Sequence, residues 1–261
     1  MTDGSRSVDR GVSNVYEDER RAEAYAKLEF PGTYHLAYRD LPAILDAHVQ
    51  GRNAMDFGCG TGRSTRFLRE LGFEAVGVDI SEHMLSKARE GDPEGEYRLI
   101  TGDGLARFTA QAFDLVLSVF TFDNIPTTEE KVKQLQGLKR LLKRSGRIVN
   151  LVSSPEIYGN EWASFTTKDF PENRAAKSGD TVRIVMLDVE DSRPVEDVLW
   201  TDDDYQEVYR RAGLVPIQVY RPLAQESEPF AWVSETTIAP WVIYVLGPGA
   251  QTSRTGFISG R

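Results

Sequence analysis

The segment Ala54-Met-Asp-Phe-Gly-Cys-Gly-Thr-Gly-Arg-Ser64 constrains this chain more than any other. An apolar run carrying Asp56 passes into Gly58-x-Gly60-x-Gly62 and leads into a helical pattern, Ser64–Leu71. Glycines this closely spaced after a strand let the backbone turn tightly and let a ligand approach where a Cβ would clash. The geometry is that of a nucleotide-like ligand at a strand-to-helix turn. A dinucleotide fingerprint needs G-x-G-x-x-G, but here the third glycine comes one residue early and Arg63 stands where the pattern asks for glycine. A phosphate loop needs Gly-Lys-Ser/Thr, which is absent. Asp56, just before the glycines, repels a pyrophosphate and suits a ligand carrying an ammonium or other positive group.

Around this loop, β-type runs alternate with amphipathic helical patterns. Strands are predicted at Ala54–Phe57, Glu74–Val78, Tyr97–Thr101, Phe113–Val119 and Arg147–Val152, and helices at Ser64–Leu71, Glu82–Glu90 and Thr128–Lys143. The last helix carries Val132, Leu135, Leu138, Leu141 and Leu142 on one face. Such alternation argues for a parallel sheet covered on both faces. Two further helical patterns, Val15–Leu28 and Thr33–Val49, precede the unit and are broken at Phe30-Pro31-Gly32. After it, residues 155–201 are rich in turn formers and aromatics and include two strand-like runs, Val182–Leu187 and Val195–Thr201, that read as antiparallel neighbours. A helix over Asp202–Ala212 and two strands, Val215–Tyr220 and Pro240–Leu246, follow, and the polar stretch from Gly247 reads as a flexible tail. This divides the chain into an N-terminal helical lid (1–50), a core (51–154), an inserted cap (155–201), elements completing the core (202–247) and a tail (248–261).

Three strand ends carry polar groups in step. The second run ends on Val78-Asp79-Ile80, about twenty residues beyond the glycines, where a carboxylate accepts from both hydroxyls of a ribose. The third ends in Gly102-Asp103-Gly104, where a carboxylate accepts from an exocyclic amine such as that of adenine. Open α/β sheets bind their ligands along this edge.

With these motifs the chain resembles the class I S-adenosylmethionine (SAM)-dependent methyltransferases. The resemblance rests on Met55-Asp-Phe-Gly-Cys-Gly-Thr-Gly62, Gly77-Val-Asp-Ile-Ser81, Met84-Leu85, Ala88-Arg89, Gly102-Asp103 and Phe113-Asp-Leu-Val-Leu-Ser118, and it covers residues 50 to 155 most strongly. It implies a Rossmann-like, doubly wound α/β fold with a seven-stranded sheet, an antiparallel last strand, the N-terminal lid and a small cap after strand five. By position it also implies roles. Asp56, Gly58 and Gly60 would hold the amino-acid part of the cofactor, Asp79 the ribose and Ile80 the adenine face. Asp103 and the Gly104 backbone would read the adenine edge, and Ser118 and Phe120 would flank the sulfonium.

Candidates for the chemistry itself are fewer. His35, in the lid segment Phe30–Arg39, is a candidate general base, the alternative being an ordinary helix residue. Asp123 and Asn124, in Phe122-Asp-Asn-Ile-Pro126, stand where some amine-methylating relatives carry Asn/Asp-Pro-Pro-aromatic. The match lacks the second proline, so a helix-entry turn is the competing reading. His48 and His83 read as a helix-end cation and a surface residue. Cys59 reads as a small apolar group inside the loop. No metal-ligand spacing is visible. The aromatics of the cap and beyond, among them Trp162, Phe165 and Trp241, read as cap core or as walls for an aromatic or apolar acceptor.

The formal net charge of −9 argues against a nucleic-acid partner. No apolar run approaches the roughly 20 residues of a membrane span. A single cysteine excludes an internal disulfide framework, and the polar N-terminus lacks a signal-peptide core, so a cytoplasmic setting is expected. The expectation is a small-molecule methyltransferase acting on an O, N or C atom by in-line displacement, yielding S-adenosylhomocysteine. A homodimer is compatible with it. The alternatives are a SAM-binding catalyst or regulator that does not methylate, and a protein methyltransferase.

Overall fold

The computed structural model describes residues 31–189 and 192–249. In chain order its strands are β1 (Asn53–Phe57), β2 (Glu74–Asp79), β3 (Glu96–Leu99), β4 (Phe113–Val119), β5 (Leu142–Ser153), β6 (Phe165–Thr166), β7 (Thr181–Met186), β8 (Val195–Val198), β9 (Leu214–Tyr220) and β10 (Trp241–Pro248). The central sheet has seven of them, in the order β3-β2-β1-β4-β5-β10-β9. β1 pairs parallel with both β2 and β4, whereas β10 runs antiparallel to β5 and β9. The last strand alone therefore opposes the rest, as the resemblance implies. Strand order reverses between β1 and β4, and the crevice beyond their carboxyl ends is the ligand position of open α/β sheets.

Helices α1 (Thr33–Arg39), α2 (Leu41–His48), α3 (Arg63–Glu70), α4 (Glu82–Gly91), α5 (Thr128–Leu141) and α6 (Asp202–Ala212) cover this sheet. Strand alternation feeds two cores. Ala54, Leu115, Leu117, Val149, Leu151, Ile243 and Val245 face one buried cluster, which also takes residues of α1 and α2 and Leu68 of α3. Met55, Val116, Ile148, Val242, Tyr244 and Leu246 face the other, against α5 and α6. The period of two along each strand makes this division unavoidable once both faces are covered. Between β2 and β3, α4 starts on a Ser81 cap whose hydroxyl accepts from the Met84 amide.

Three expected boundaries shift. The single helix expected over Thr33–Val49 is two, because Pro42 sits in the first turn of α2 and cannot continue α1 across Asp40. The helix expected to reach Lys143 ends at Leu141, and Leu142 already opens an extended twelve-residue β5. Gly247 and Pro248, expected at the start of the tail, close β10 against Val215 and Leu214. The pattern Val15–Leu28 and the remainder of the tail lie outside the described residues.

A second sheet, β6-β7-β8, rises from the cap, with β7 and β8 antiparallel as expected. It is tied to the lid and to the loop before β10 by one buried carboxylate. Glu235 accepts from the Thr33 hydroxyl at 2.6 Å and the Ala163 amide at 2.7 Å, and also from the amides of Val233 and Ser234. Thr33 and Ser164 exchange backbone-to-hydroxyl bonds of 2.9 and 3.1 Å, and the Trp241 indole donates to the Thr33 carbonyl. Truncating this carboxylate strands several buried donors at once. Glu235→Ala is therefore expected to cost about 3 kcal/mol of stability, read as a lowered denaturant midpoint. A loss within about 0.5 kcal/mol would show that the three segments hold together without it.

Candidate active site

The glycine loop is shaped by its neighbours. Gly58, Gly60 and Gly62 all have positive φ, and a Cβ on Gly58 would fall 2.2 Å from the Thr121 hydroxyl oxygen. The amides of Gly58 and Cys59 both donate to the Val78 carbonyl, which lays the loop across the end of β2. Asp79 then fixes its tip: one carboxylate oxygen accepts from the Gly60 amide at 2.8 Å and the other from the Ser81 amide at 2.9 Å. Burial raises the Asp79 carboxyl above its ordinary range, opposed by these amides.

In front of the loop lies a cavity of about 170 Å³ lined by Gly58, Gly60, Asp79, Ile80, Met84 and Asn124, with Tyr34 and Tyr38 of the lid on its outer side. It continues into a larger groove that shares Gly58, Asp79 and Ile80 and adds Ile100, Gly102, Gly104 and Leu105. Ile80 is 65% exposed, an apolar side chain left bare at a strand end. A third, smaller cavity shares Tyr34, Phe120 and Asn124 with the first and runs under the cap between Tyr158, Phe165, Asp197 and Trp241. Phe120 forms the partition. Its φ of +60° is rare for a side chain of this size, and such strain clusters at functional sites. The amide of Phe120 donates to Leu151, and its ring meets those of Trp241 at 4.6 Å and Tyr34 at 6.1 Å.

Of the expected residues, Gly58, Gly60, Asp79, Ile80, Gly104, Phe120, Asp123 and Asn124 line these connected spaces. Asn124 lines all three, and its amide donates to the Phe120 carbonyl. Asp123, buried on the 3-10 turn Thr121–Asn124, accepts from the Ser153 amide at 3.0 Å and the Tyr205 hydroxyl at 3.2 Å. Burial raises its carboxyl, while the Ser153 amide and the Lys131 ammonium oppose the shift. Lys131 is itself buried, donating to the Phe122 carbonyl and lying 4.6 Å from the Trp200 ring centre, and burial lowers its ammonium to about 7.

Four expected residues sit elsewhere. His35 does not line these cavities: its Nε2 lies 3.4 Å from Glu228, beside Arg39, and its ring packs on Phe230. The turn of α1 that presents Tyr34 and Tyr38 to the cavity carries His35 around to the loop that follows β9. Asp103 is exposed, ahead of the 3-10 turn Gly104–Arg107, so only its neighbour Gly104 reaches the groove. Ser118 is fully buried within β4, one strand position short of the opening, and its hydroxyl has no partner.

Asp56 lies behind the loop rather than on the cavity wall. Fully buried, it accepts from the hydroxyls of Ser64 and Thr65 at 2.6 Å each through Oδ2, while Oδ1 has no partner. It thereby anchors the first turn of α3. Tyr158 and Asp197 are two of the wall residues that sequence reasoning did not single out for the site. Tyr158 donates its hydroxyl to Asp197 across 39 residues at 3.1 Å, and no local motif announces that pairing.

A methyltransferase domain family matches residues 55–150. Among similar proteins, a ubiquinone biosynthesis O-methyltransferase of Methylococcus capsulatus is 32% identical over 111 residues, covering 40% of this chain and 46% of that protein. A cypemycin N-terminal methyltransferase of a Streptomyces species is 34% identical over 137 residues, covering 51% and 54%. The chain spans about half the length of the curated relatives it matches. In fold it resembles the CcbJ methyltransferase of Streptomyces caelestis, with a TM-score of 0.61 at 19% identity over 88% of this chain and 96% of that one. It also resembles a Burkholderia thailandensis 1,6-didemethyltoxoflavin-N1-methyltransferase solved with S-adenosylhomocysteine, with a TM-score of 0.52 at 16% identity over 82% and 79%.

Burial drives the Asp56 carboxyl from its ordinary 3.8 up to about 6. The folded chain then holds this proton more tightly than the unfolded chain. The stabilising contribution is fully present below about pH 4 and is lost as pH rises through about 6. Asp56→Asn keeps an acceptor for Ser64 and Thr65 without the charge. The stability of the variant relative to wild type is expected to grow by about 2 kcal/mol between about pH 4 and pH 6.5, by denaturant titration. A difference that stays constant across that range would show that Asp56 titrates as an ordinary carboxylate.

Proposed function

We infer that the chain, whose residues 55–150 match a methyltransferase domain family, is a class I SAM-dependent methyltransferase that moves a methyl group from SAM to a nucleophilic atom of a small organic acceptor. The observation that carries this reading is the continuity of two unlike cavities at the switch point. One is glycine-rich around Asp79, the other is walled by aromatic rings under the cap, and Tyr34, Phe120 and Asn124 line both.

The residues fit the nucleoside. The Asp79 oxygens accept from the Gly60 and Ser81 amides, and we assign their remaining acceptor capacity to a vicinal diol. Where Gly60 lacks a Cβ, the space holds nothing nearer than the Met84 methyl at 3.4 Å, so a ligand can lie against the backbone. Ile80, Ile100 and Leu105 offer apolar contact along the groove where a purine would extend. We assign the diol to Asp79 and the base to this groove.

When bound, SAM supplies a methyl carbon on a positively charged sulfur, with a neutral thioether as the leaving group. What remains for the protein is alignment and the exclusion of water. Tyr34, Phe120 and Trp241, packed ring against ring, wall the approach with carbon. Asn124 stands where the two cavities meet and orients the acceptor. Asp123, its carboxyl raised by burial, is placed to receive a proton if the acceptor must lose one.

Asp79→Ala is expected to weaken S-adenosylhomocysteine binding by about 10- to 100-fold in calorimetry, with the circular dichroism of the fold retained. Unchanged affinity would overturn the assignment of the diol and, with it, the placement of the nucleoside.

A further inference from the structure

The walls of the cap-side cavity carry chemistry that the transfer reaction does not by itself require. Its apolar sides are the rings of Tyr34, Phe120, Phe165 and Trp241, which contact one another with centroids 4.6 to 6.1 Å apart. Its polar end is formed by two carboxylates that approach from different parts of the fold. Asp123 comes from the turn after β4, and Asp197 comes from β8 of the cap, held by the Tyr158 hydroxyl. Lys131 lies behind the wall: its ammonium, engaged by the Phe122 carbonyl and the Trp200 ring, acts on both carboxylates, but it is one charge against two and is not among the lining residues.

The sign of this charge discriminates between acceptors. A phenolate, thiolate or carboxylate entering here would meet two carboxylates in a partly desolvated space, where like charges repel most strongly. An ammonium meets the opposite field. Aromatic faces add attraction for a cation and none for an anion. The cavity, at about 40 Å³, takes a small headgroup while the remainder of the acceptor stays outside it. We infer that the acceptor is an amine, seated as its ammonium form between Asp123 and Asp197 and against the rings of Tyr34, Phe120, Phe165 and Trp241. This rests on the reading that the neighbouring cavity holds SAM.

The proton and electron balance follows from these groups. The ammonium gives one N–H proton to the Asp123 carboxylate, which becomes a neutral acid. The freed nitrogen lone pair forms the new bond to the methyl carbon, and the carbon–sulfur pair stays on sulfur as a thioether. Positive charge passes from sulfur to nitrogen, and the methylated ammonium is again the species that the carboxylates favour. The Asp123 proton leaves to solvent with the product. No oxidant or metal enters the balance.

The chemistry of an amine headgroup is the same on a small arylalkylamine and at the free N-terminus of a peptide. The test uses the full chain saturated with S-adenosylhomocysteine, whose own binding is measured first by calorimetry. Phenethylammonium is then titrated against its neutral isostere 2-phenylethanol, and a free tripeptide against its N-acetylated form. A preference of about tenfold or more for the cationic member of either pair is expected, and the pair that shows it identifies the source of the amine. Asp197→Asn is expected to abolish that preference while leaving S-adenosylhomocysteine affinity within about twofold.

Equal affinity within both pairs, a preference for the neutral partner, or no binding of any probe at about 10 mM overturns the amine assignment even where the cofactor product binds. Failure of S-adenosylhomocysteine to bind instead overturns the underlying reading. The wild-type titrations need no variant, so they decide between these outcomes even where Asp197→Asn folds poorly.

Discussion

The bond from the Gly60 amide to the Asp79 carboxylate, 2.8 Å long, is the contact on which the rest of the site depends. It joins the tip of the β1–α3 loop to the end of β2, and the same carboxylate reaches on to the Ser81 amide at the start of α4. Two adjacent strand ends and the helices that follow them are thereby held in one frame. Amide donors offset part of the desolvation of this half-buried carboxylate, and in the proposed reading it keeps acceptor capacity on the open side. On that reading, the structural role and the binding role use different lone pairs of one group.

Asp56 divides the work differently. Behind the loop it ties the Ser64 and Thr65 hydroxyls to the base of β1. Placing a carboxylate where burial resists its charge costs stability near neutral pH. What the arrangement secures is the angle at which α3 leaves the sheet, and therefore the opening in front of Gly60. Phe120 is the corresponding strained element on the acceptor side. Its left-handed backbone aims the ring between Tyr34 of the lid and Trp241 of the final strand, so three distant segments meet at one partition.

How far the sequence announces this follows from the range of each interaction. The sheet, the switch point, the glycine loop and Asp79 are legible because a strand period, positive-φ glycines and a carboxylate at a strand end are local signals. Tyr34 is visible only as a member of a suggestive segment, and Asn124 only through an incomplete match at the end of the fourth strand. His35 misleads for a geometric reason: on a helix, the residue next to a cavity-lining tyrosine points about 100° away from it. Ser118 misleads because the inward and outward faces of β4 are both buried, so alternation gives no sign of where the strand end opens. Glu235 binds Thr33 across 202 residues and Asp197 meets Tyr158 across 39, and neither contact leaves a local trace.

This difference in range separates the two halves of the site. The groups assigned to the nucleoside, from Gly58 to Gly104, fall inside residues 55–150, where the methyltransferase domain family matches. The walls assigned to the acceptor are drawn largely from outside that span. Tyr34 precedes it, and Tyr158, Phe165, Asp197 and Trp241 follow it. A frame built from short-range contacts can keep one donor while the segments crossing over it are exchanged, because the two cavities have only Tyr34, Phe120 and Asn124 in common among their lining residues. In the proposed reading the acceptor is therefore set by the cap, the lid and the final strand, and the acceptors named for proteins that share the frame do not carry across to this one. Two carboxylates at the end of an aromatic cavity are this chain's own statement about charge, and they favour a cation over any anionic nucleophile.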